Sequence, residues 1–214
     1  MIAGFFLRLI VAYAALMAAW PLLKGGYTAC YRGTADLLLG NFGSRAVVHF
    51  ERPGESDPVK DTVIHIKDRQ SPGVELTVPV SARYTAYMPT AFTIALILAT
   101  PLAWRDRLIA ALIAVLLVQL FILAWLSVSL LDELSNPSAP LRVFMLTGVD
   151  KTVLRFIISN VVESVIFTAY VAPLFVWIIT VFRRKNRALL LRPFMQMNQP
   201  ADALRNEPDN SNPS

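Results

Sequence analysis

Residues Leu108–Leu131 read LIAALIAVLLVQLFILAWLSVSLL, with no charged side chain and with Gln119 as their one amide. A bilayer core takes about 20 apolar residues as a helix, so this run is long enough to cross one. Three more runs have the same character: Met1–Leu23, Tyr87–Trp104 and Val153–Phe182. The fold class that follows is a mainly α membrane protein with four transmembrane helices. Residues 1–23 form the first span, 24–86 an external module, 87–182 a three-helix transmembrane bundle and 183–214 a cytoplasmic tail.

The composition agrees. Hydrophobic residues make up 55% of the chain and charged residues 16%, against about 25% charged in soluble domains. After four spans, too few residues remain for a large soluble domain. The net charge of +5 does not point to nucleic acid, because the basic residues flank the apolar runs. Cys30 is the single cysteine, so an intrachain disulfide is excluded. Thr28-Ala29-Cys30 loosely resembles a lipidation box, but Tyr27 stands where an aliphatic residue belongs. An ordinary cysteine near the membrane surface is the simpler reading.

Basic residues favour the cytoplasmic side of a membrane. Arg105-Asp106-Arg107 reads as a short basic link between spans two and three. Arg183, Arg184, Lys185 and Arg187 follow span four and suit anionic lipid headgroups. Placing both inside puts both termini in the cytoplasm, with Lys24–Arg83 and Asp132–Thr152 outside. The first span reads as an uncleaved signal anchor. The cleavage pattern Ala12-Tyr13-Ala14 would leave half the apolar run attached. Arg8 then snorkels to the inner interface.

The external stretch changes to period two. Ala46, Val48 and Phe50 alternate with Val47, His49 and Glu51, Thr62, Ile64 and Ile66 alternate with Val63, His65 and Lys67, and Val74, Leu76, Val78 and Val80 form a third alternating run. This predicts a three-stranded meander. Arg52–Pro58 and Gln70–Gly73 are its turns. A lone sheet of this size is marginal, so its apolar face needs a cover. That cover is either the stretch Thr28–Phe42, read as a separate short helix, or a partner. A first hairpin symmetric about Asp57 sets Val48 opposite Ile66, Phe50 opposite Ile64 and His49 opposite His65. Two facing imidazoles with Glu51 nearby raise a metal reading. No third ligand is fixed by spacing, so the expectation is two polar-face histidines and no metal.

Glu163 is the most conspicuous polar residue, about ten residues into span four, with Asn160 one turn before it. Gln119 is near the middle of span three. An intramembrane carboxylate is costly and marks a functional hypothesis. These three residues are the candidate intramembrane polar contacts, and helix-to-helix or partner contact is preferred over transport or catalysis. The spans hold no His, no Cys and no second acidic residue, and no nucleotide or zinc-protease motif occurs. No catalytic residue and no cofactor is therefore expected. Pro101 and Pro173 are expected to kink their helices or free a carbonyl. Pro89 suits a first helical turn. Asp132–Thr152 reads as an interfacial segment, and the end of the tail as disordered.

The layout resembles the exosortase-associated membrane proteins, especially those linked to the H-type exosortase. The matching pieces are Tyr87-Met88-Pro89-Thr90-Ala91-Phe92-Thr93-Ile94-Ala95-Leu96, Ala99-Thr100-Pro101 and Tyr170-Val171-Ala172-Pro173-Leu174-Phe175. The resemblance implies one N-terminal span, a short external β segment and three further spans. It also implies an accessory role beside a membrane peptidase-transpeptidase that sorts proteins to the envelope. It carries over no functional residue. The preferred reading is a non-enzymatic accessory protein of a bacterial inner membrane, with a larger membrane partner. The alternatives are a transporter or channel subunit with Glu163 on its pathway, and an intramembrane enzyme using Glu163.

Overall fold

The computed structural model describes residues 2–41, 46–53, 61–69, 73, 75–135, 152–154, 156, 158, 164 and 166–181. Helix α1, Ile2–Leu39, has 38 residues, about 57 Å at 1.5 Å per residue. It does not stop at Leu23. It runs on through Lys24-Gly25-Gly26, and Thr28–Leu39 of the expected separate helix at Thr28–Phe42 is its second half, Phe42 lying outside the described residues. The Thr28 hydroxyl helps by donating to the carbonyls of Lys24 at 2.7 Å and Gly25 at 3.3 Å, within the helix. Beyond the glycines, Tyr31, Ala35 and Leu39 recur every fourth residue and are buried on one face. Packing of that face compensates for two glycines of low helix propensity. The Gly40 N–H closes the helix end on the Asp36 carbonyl at 2.8 Å. A Cβ on Gly40 would lie 2.4 Å from that oxygen, so the close approach requires glycine.

The sheet is a meander of β1 (Ala46–Glu51), β2 (Thr62–Asp68) and β3 (Glu75–Val80), in the order β1-β2-β3. Its first register has the expected pairs Val48 with Ile66, His49 with His65 and Phe50 with Ile64. Ala46, Val48, Phe50, Thr62, Ile64 and Ile66 are buried, and their alternate neighbours form the other face. The edge of β1 is fixed to the end of α1, where the Val48 N–H donates to the Gly40 carbonyl at 3.0 Å.

A π turn, Arg83–Tyr87, leads from the sheet into α2, Met88–Ala99. Pro89 stands in the first turn of α2, as expected, directly after this wider turn. The entrance is tied to the sheet by Asp61, whose buried carboxylate accepts from the Ala82 N–H at 2.6 Å. Arg32 of α1 donates to the Asp61 carbonyl at 3.1 Å. Helix α2 ends where Thr100 turns extended, at φ −73° and ψ 134°. This is the conformation a following proline imposes, here Pro101.

Helix α3, Trp104–Ser135, has 32 residues. It begins before Arg105-Asp106-Arg107, so that basic triplet is its first turn and the link to α2 is Thr100–Ala103. Its buried residues are Ala110, Ala114, Val118, Ile122, Leu126, Leu130 and Leu134, every fourth position. Such a row drifts by about 40° per step, so the two ends of the helix face different neighbours. Ala110 and Ala114 pack with Ile97 of α2. Val118 through Leu134 share one apolar cluster with Tyr31, Ala35 and Leu39 of α1 and with Val48, Phe50, Ile64 and Ile66 of the sheet. The sheet is thus covered by two helices, where the sequence pointed to one.

A second π turn, Phe167–Val171, leads into α4, Ala172–Val181. The architecture is mostly helical with one small antiparallel sheet. Among the described residues, α1 from Ala3 and α3 are the two helices long and apolar enough to cross a membrane. The Asp132–Thr152 link beyond Ser135 and the chain beyond Val181 lie outside the described residues, apart from Thr152 itself.

Candidate functional site

The polar residue at the middle of α3 meets two partners far away in sequence. The Gln119 amide donates to the Thr90 hydroxyl at 3.2 Å and to the Tyr27 hydroxyl at 3.5 Å. Tyr27 and Thr90 are themselves 3.3 Å apart, and the Thr90 hydroxyl also reaches the Ala86 carbonyl at 2.8 Å. One triangle therefore joins α1, α2 and α3. Every member has a partner, which is the condition for placing an amide among apolar helices.

Aromatic rings surround this triangle. Tyr87 lies tilted against Trp20 at 4.6 Å and edge-on to Tyr27 at 5.2 Å. Its hydroxyl donates to the Leu16 carbonyl of α1. Pro21 lies inside α1 and has no N–H, so the helix ladder is already interrupted one residue from that acceptor. Phe92 stands edge-on to Tyr13 at 5.6 Å and to Tyr170 at 5.2 Å. At the far end of α2, Trp177 Nε1–H donates to the Thr100 hydroxyl at 2.9 Å. Arg107 turns back to donate to the carbonyls of Thr100 and Leu102, each at 3.2 Å.

The other polar arrangement is the open face of the sheet. His49 Nδ1 lies 3.0 Å from the Asp36 carboxylate, and its Nε2 lies 3.6 Å from Glu51. His65 Nδ1–H donates to Glu75 at 2.6 Å, and its Nε2 lies 3.8 Å from the other Glu51 oxygen. Each ring thus has a carboxylate on both sides, across the pairing His49 with His65. The hydrogen bond from His65 holds the Glu75 carboxyl below the usual carboxylate range, with the Lys67 charge at 3.5 Å assisting. Asp36 also accepts from the Phe50 N–H at 2.9 Å, so it joins α1 to β1 through both backbone and side chain. Among the described residues, no group of three His, Cys, Asp or Glu side chains is placed to hold a metal ion.

Of the sequence candidates, Gln119 takes up the helix-to-helix contact just described. Asn160 and Glu163 lie outside the described residues, as do Arg183, Arg184, Lys185 and Arg187. Cys30 is free and exposed. Sequence reading missed Tyr27, Thr90, Tyr87 and Trp20 as members of one site. Their signal was present only as aromatic enrichment near the ends of apolar runs.

A family model described as exosortase H-associated membrane protein matches residues 1–184. The chain belongs to that family. The match spans every element described above, and it bears out the resemblance carried by the segments around Pro89, Pro101 and Pro173. No curated protein and no solved structure matches the chain. Membership in a membrane protein family also accounts for the exposed apolar side chains. Leu7, Ile10 and Val11 on α1, and Leu108, Leu112, Leu116 and Leu120 on α3, are exposed in the isolated fold. Facing hydrocarbon, they carry none of the cost that water would impose.

Proposed function

We propose that this protein is a non-enzymatic accessory subunit of a bacterial inner membrane, held beside an exosortase-type peptidase-transpeptidase. The chain would cross the bilayer four times, with both termini in the cytoplasm and the sheet outside. The spans would contact the larger membrane partner, and the sheet would meet proteins being sorted to the envelope. Family membership supports the partner class. The observation that carries the accessory role is the Gln119 triangle. Its polar groups satisfy one another, as suits a scaffold that holds helices together.

The test is co-expression with the exosortase of the same cell and purification through a tag on this chain. Stoichiometric recovery of the exosortase supports the reading. Clean separation of two folded proteins overturns it. Glu163→Gln separates this role from a chemical one, because it preserves shape and hydrogen bonding without a titratable proton. An accessory subunit keeps normal accumulation and normal association in that variant. A stable, associated but inactive Glu163→Gln complex would assign the residue to proton transfer or catalysis.

A further inference from the structure

The two outer edges of the sheet have different neighbours. Along β1 lies the end of α1: the Val48 N–H donates to the Gly40 carbonyl at 3.0 Å, and the Phe50 N–H to the Asp36 carboxylate at 2.9 Å. Val48 and Phe50 therefore turn their backbone groups away from β2. Backbone direction alternates along a strand and across an antiparallel ladder. In the observed register, Ile64 and Ile66 then bond to Val78 and Leu76, and Glu75, Thr77 and Pro79 turn outward. Pro79 agrees with this, because a proline fits a strand where its nitrogen faces away from the ladder. The edge of β3 thus offers the N–H groups of Glu75 and Thr77 and the carbonyls of Glu75, Thr77 and Pro79. All three residues are exposed. Among the described residues, no hydrogen bond reaches these groups. The apolar face is also unfinished there. Ile66, Ile64 and Thr62 are 0%, 2% and 0% exposed, whereas their partners Leu76, Val78 and Val80 are only partly buried.

We propose that this edge takes one further antiparallel strand, an extended basic and apolar segment of a partner protein outside the membrane. The inference rests on the reading that the sheet meets proteins being sorted to the envelope, and it names where and how. Residues of the added strand opposite Val78 and Leu76 extend the buried row and are apolar. Those opposite Glu75, Thr77 and Pro79 lie on the polar face and are basic. On that face Asp36, Glu51 and Glu75 gather three carboxylates against the Lys67 ammonium, and Glu75 stands at the edge itself. Pro79 withholds one donor and marks the end of the site. A charge and a proline on an edge discourage indiscriminate pairing, so they restrict which strand fits.

A second copy of the chain in the same bilayer does not fit this edge. Joining two β3 edges into one continuous antiparallel sheet takes a two-fold axis perpendicular to the sheet. The sheet lies against the sides of α1 and α3, sharing one apolar cluster with them, so that axis runs across these helices. Copies with the same orientation in one bilayer share an axis along the membrane normal. Pairing through β3 would therefore invert one copy, and the occupant is a different protein.

The test uses the full chain in phosphatidylcholine nanodiscs, which give lysines no anionic lipid to bind. The probe is the peptide acetyl-Lys-Val-Lys-Val-Lys-amide, read by amide hydrogen exchange. Saturating peptide is expected to slow exchange at Glu75 and Thr77 about tenfold. Leu76 and Val78, already in the ladder, should stay unchanged. N-methylation at the valines is expected to be tolerated, because those amides face away from β3. N-methylation at the lysines should abolish the protection, as should the isomer acetyl-Lys-Lys-Lys-Val-Val-amide. Thr77→Pro removes the central edge donor and leaves the β2 ladder intact. It is expected to lose the protection at Glu75 while Ile64 and Ile66 exchange as in wild type. If that variant does not fold, the two N-methylated peptides carry the test on the unaltered chain. No protection, equal protection by the isomer, or edge amides already protected without peptide overturns the proposal. Co-purification with the exosortase needs no peptide, so a peptide that fails beside an exosortase that co-purifies overturns the edge site alone.

Discussion

The two ends of α3 use one spacing for two kinds of packing. Near Trp104 the buried positions are Ala110 and Ala114, set against Ile97 of α2. Toward Ser135 they are Ile122, Leu126, Leu130 and Leu134, set against the sheet and the second half of α1. Small residues suit helices that pack in lipid, where close backbone approach supplies the contact energy. Large aliphatic residues suit a core shielded from water, where each fully buried side chain is worth roughly 1.5–3 kcal/mol. The change in residue size along one row follows the change of neighbour, from α2 at one end to the sheet and α1 at the other, although the helix itself shows no break.

That contrast can be broken most directly at its large-residue end. Leu126→Ala is expected to cost about 2–5 kcal/mol through the cavity it leaves. Hydrogen exchange should accelerate at the Ile64 and Ile66 amides while the Ala110–Ala114 turn keeps its protection. Equal acceleration at both places would show one core where two are claimed. The small-residue end is tested by Ala114→Leu, expected to cost about 1–3 kcal/mol by overpacking against α2. Thermal unfolding in detergent should fall, with sheet exchange unchanged.

Gln119 lies between the two ends, and its loss sharpens the boundary. Gln119→Leu is expected to cost about 0.6–1.7 kcal/mol, the range found for interhelical hydrogen bonds in membranes. A double-mutant cycle with Thr90→Val should show coupling between the two positions. Additive effects would remove the triangle from the account.

The smallest effect belongs to the open face of the sheet. The hydrogen bond from His65 holds the Glu75 carboxyl low. The stability it lends is therefore present above the ordinary carboxylate range and is lost as pH falls through the depressed folded value. Glu75→Gln should flatten that acid-side loss in sheet exchange and leave behaviour at neutral pH nearly unchanged. An identical acid profile in wild type and variant would count against the His65–Glu75 contact.

Much of this architecture was legible in local pattern. The apolar runs at α1 and α3, the alternation of the three strands, and the pairing of Val48 with Ile66 follow from burial at fixed periods and from a turn-rich loop centred on Asp57. These features depend on neighbours within a few residues, so one sequence is enough to read them. The sequence reads Pro101 as a kink within a span running on to Trp104, whereas α2 ends at Ala99, because proline lacks an N–H and crowds the residue before it.

What sequence alone determined is that this chain carries long apolar helices and a small sheet with one face to cover. Tertiary structure decided that α1 continues through Gly25-Gly26 and that α3 extends to cover the sheet. It also decided that Gln119 joins Tyr27 and Thr90 and that Asp36 meets β1. Each of these turns on groups many residues apart, such as the 92 positions between Tyr27 and Gln119. A local period records which face of a helix is apolar. It does not record which distant surface that face will meet, because that is settled only when all the packed elements are present together.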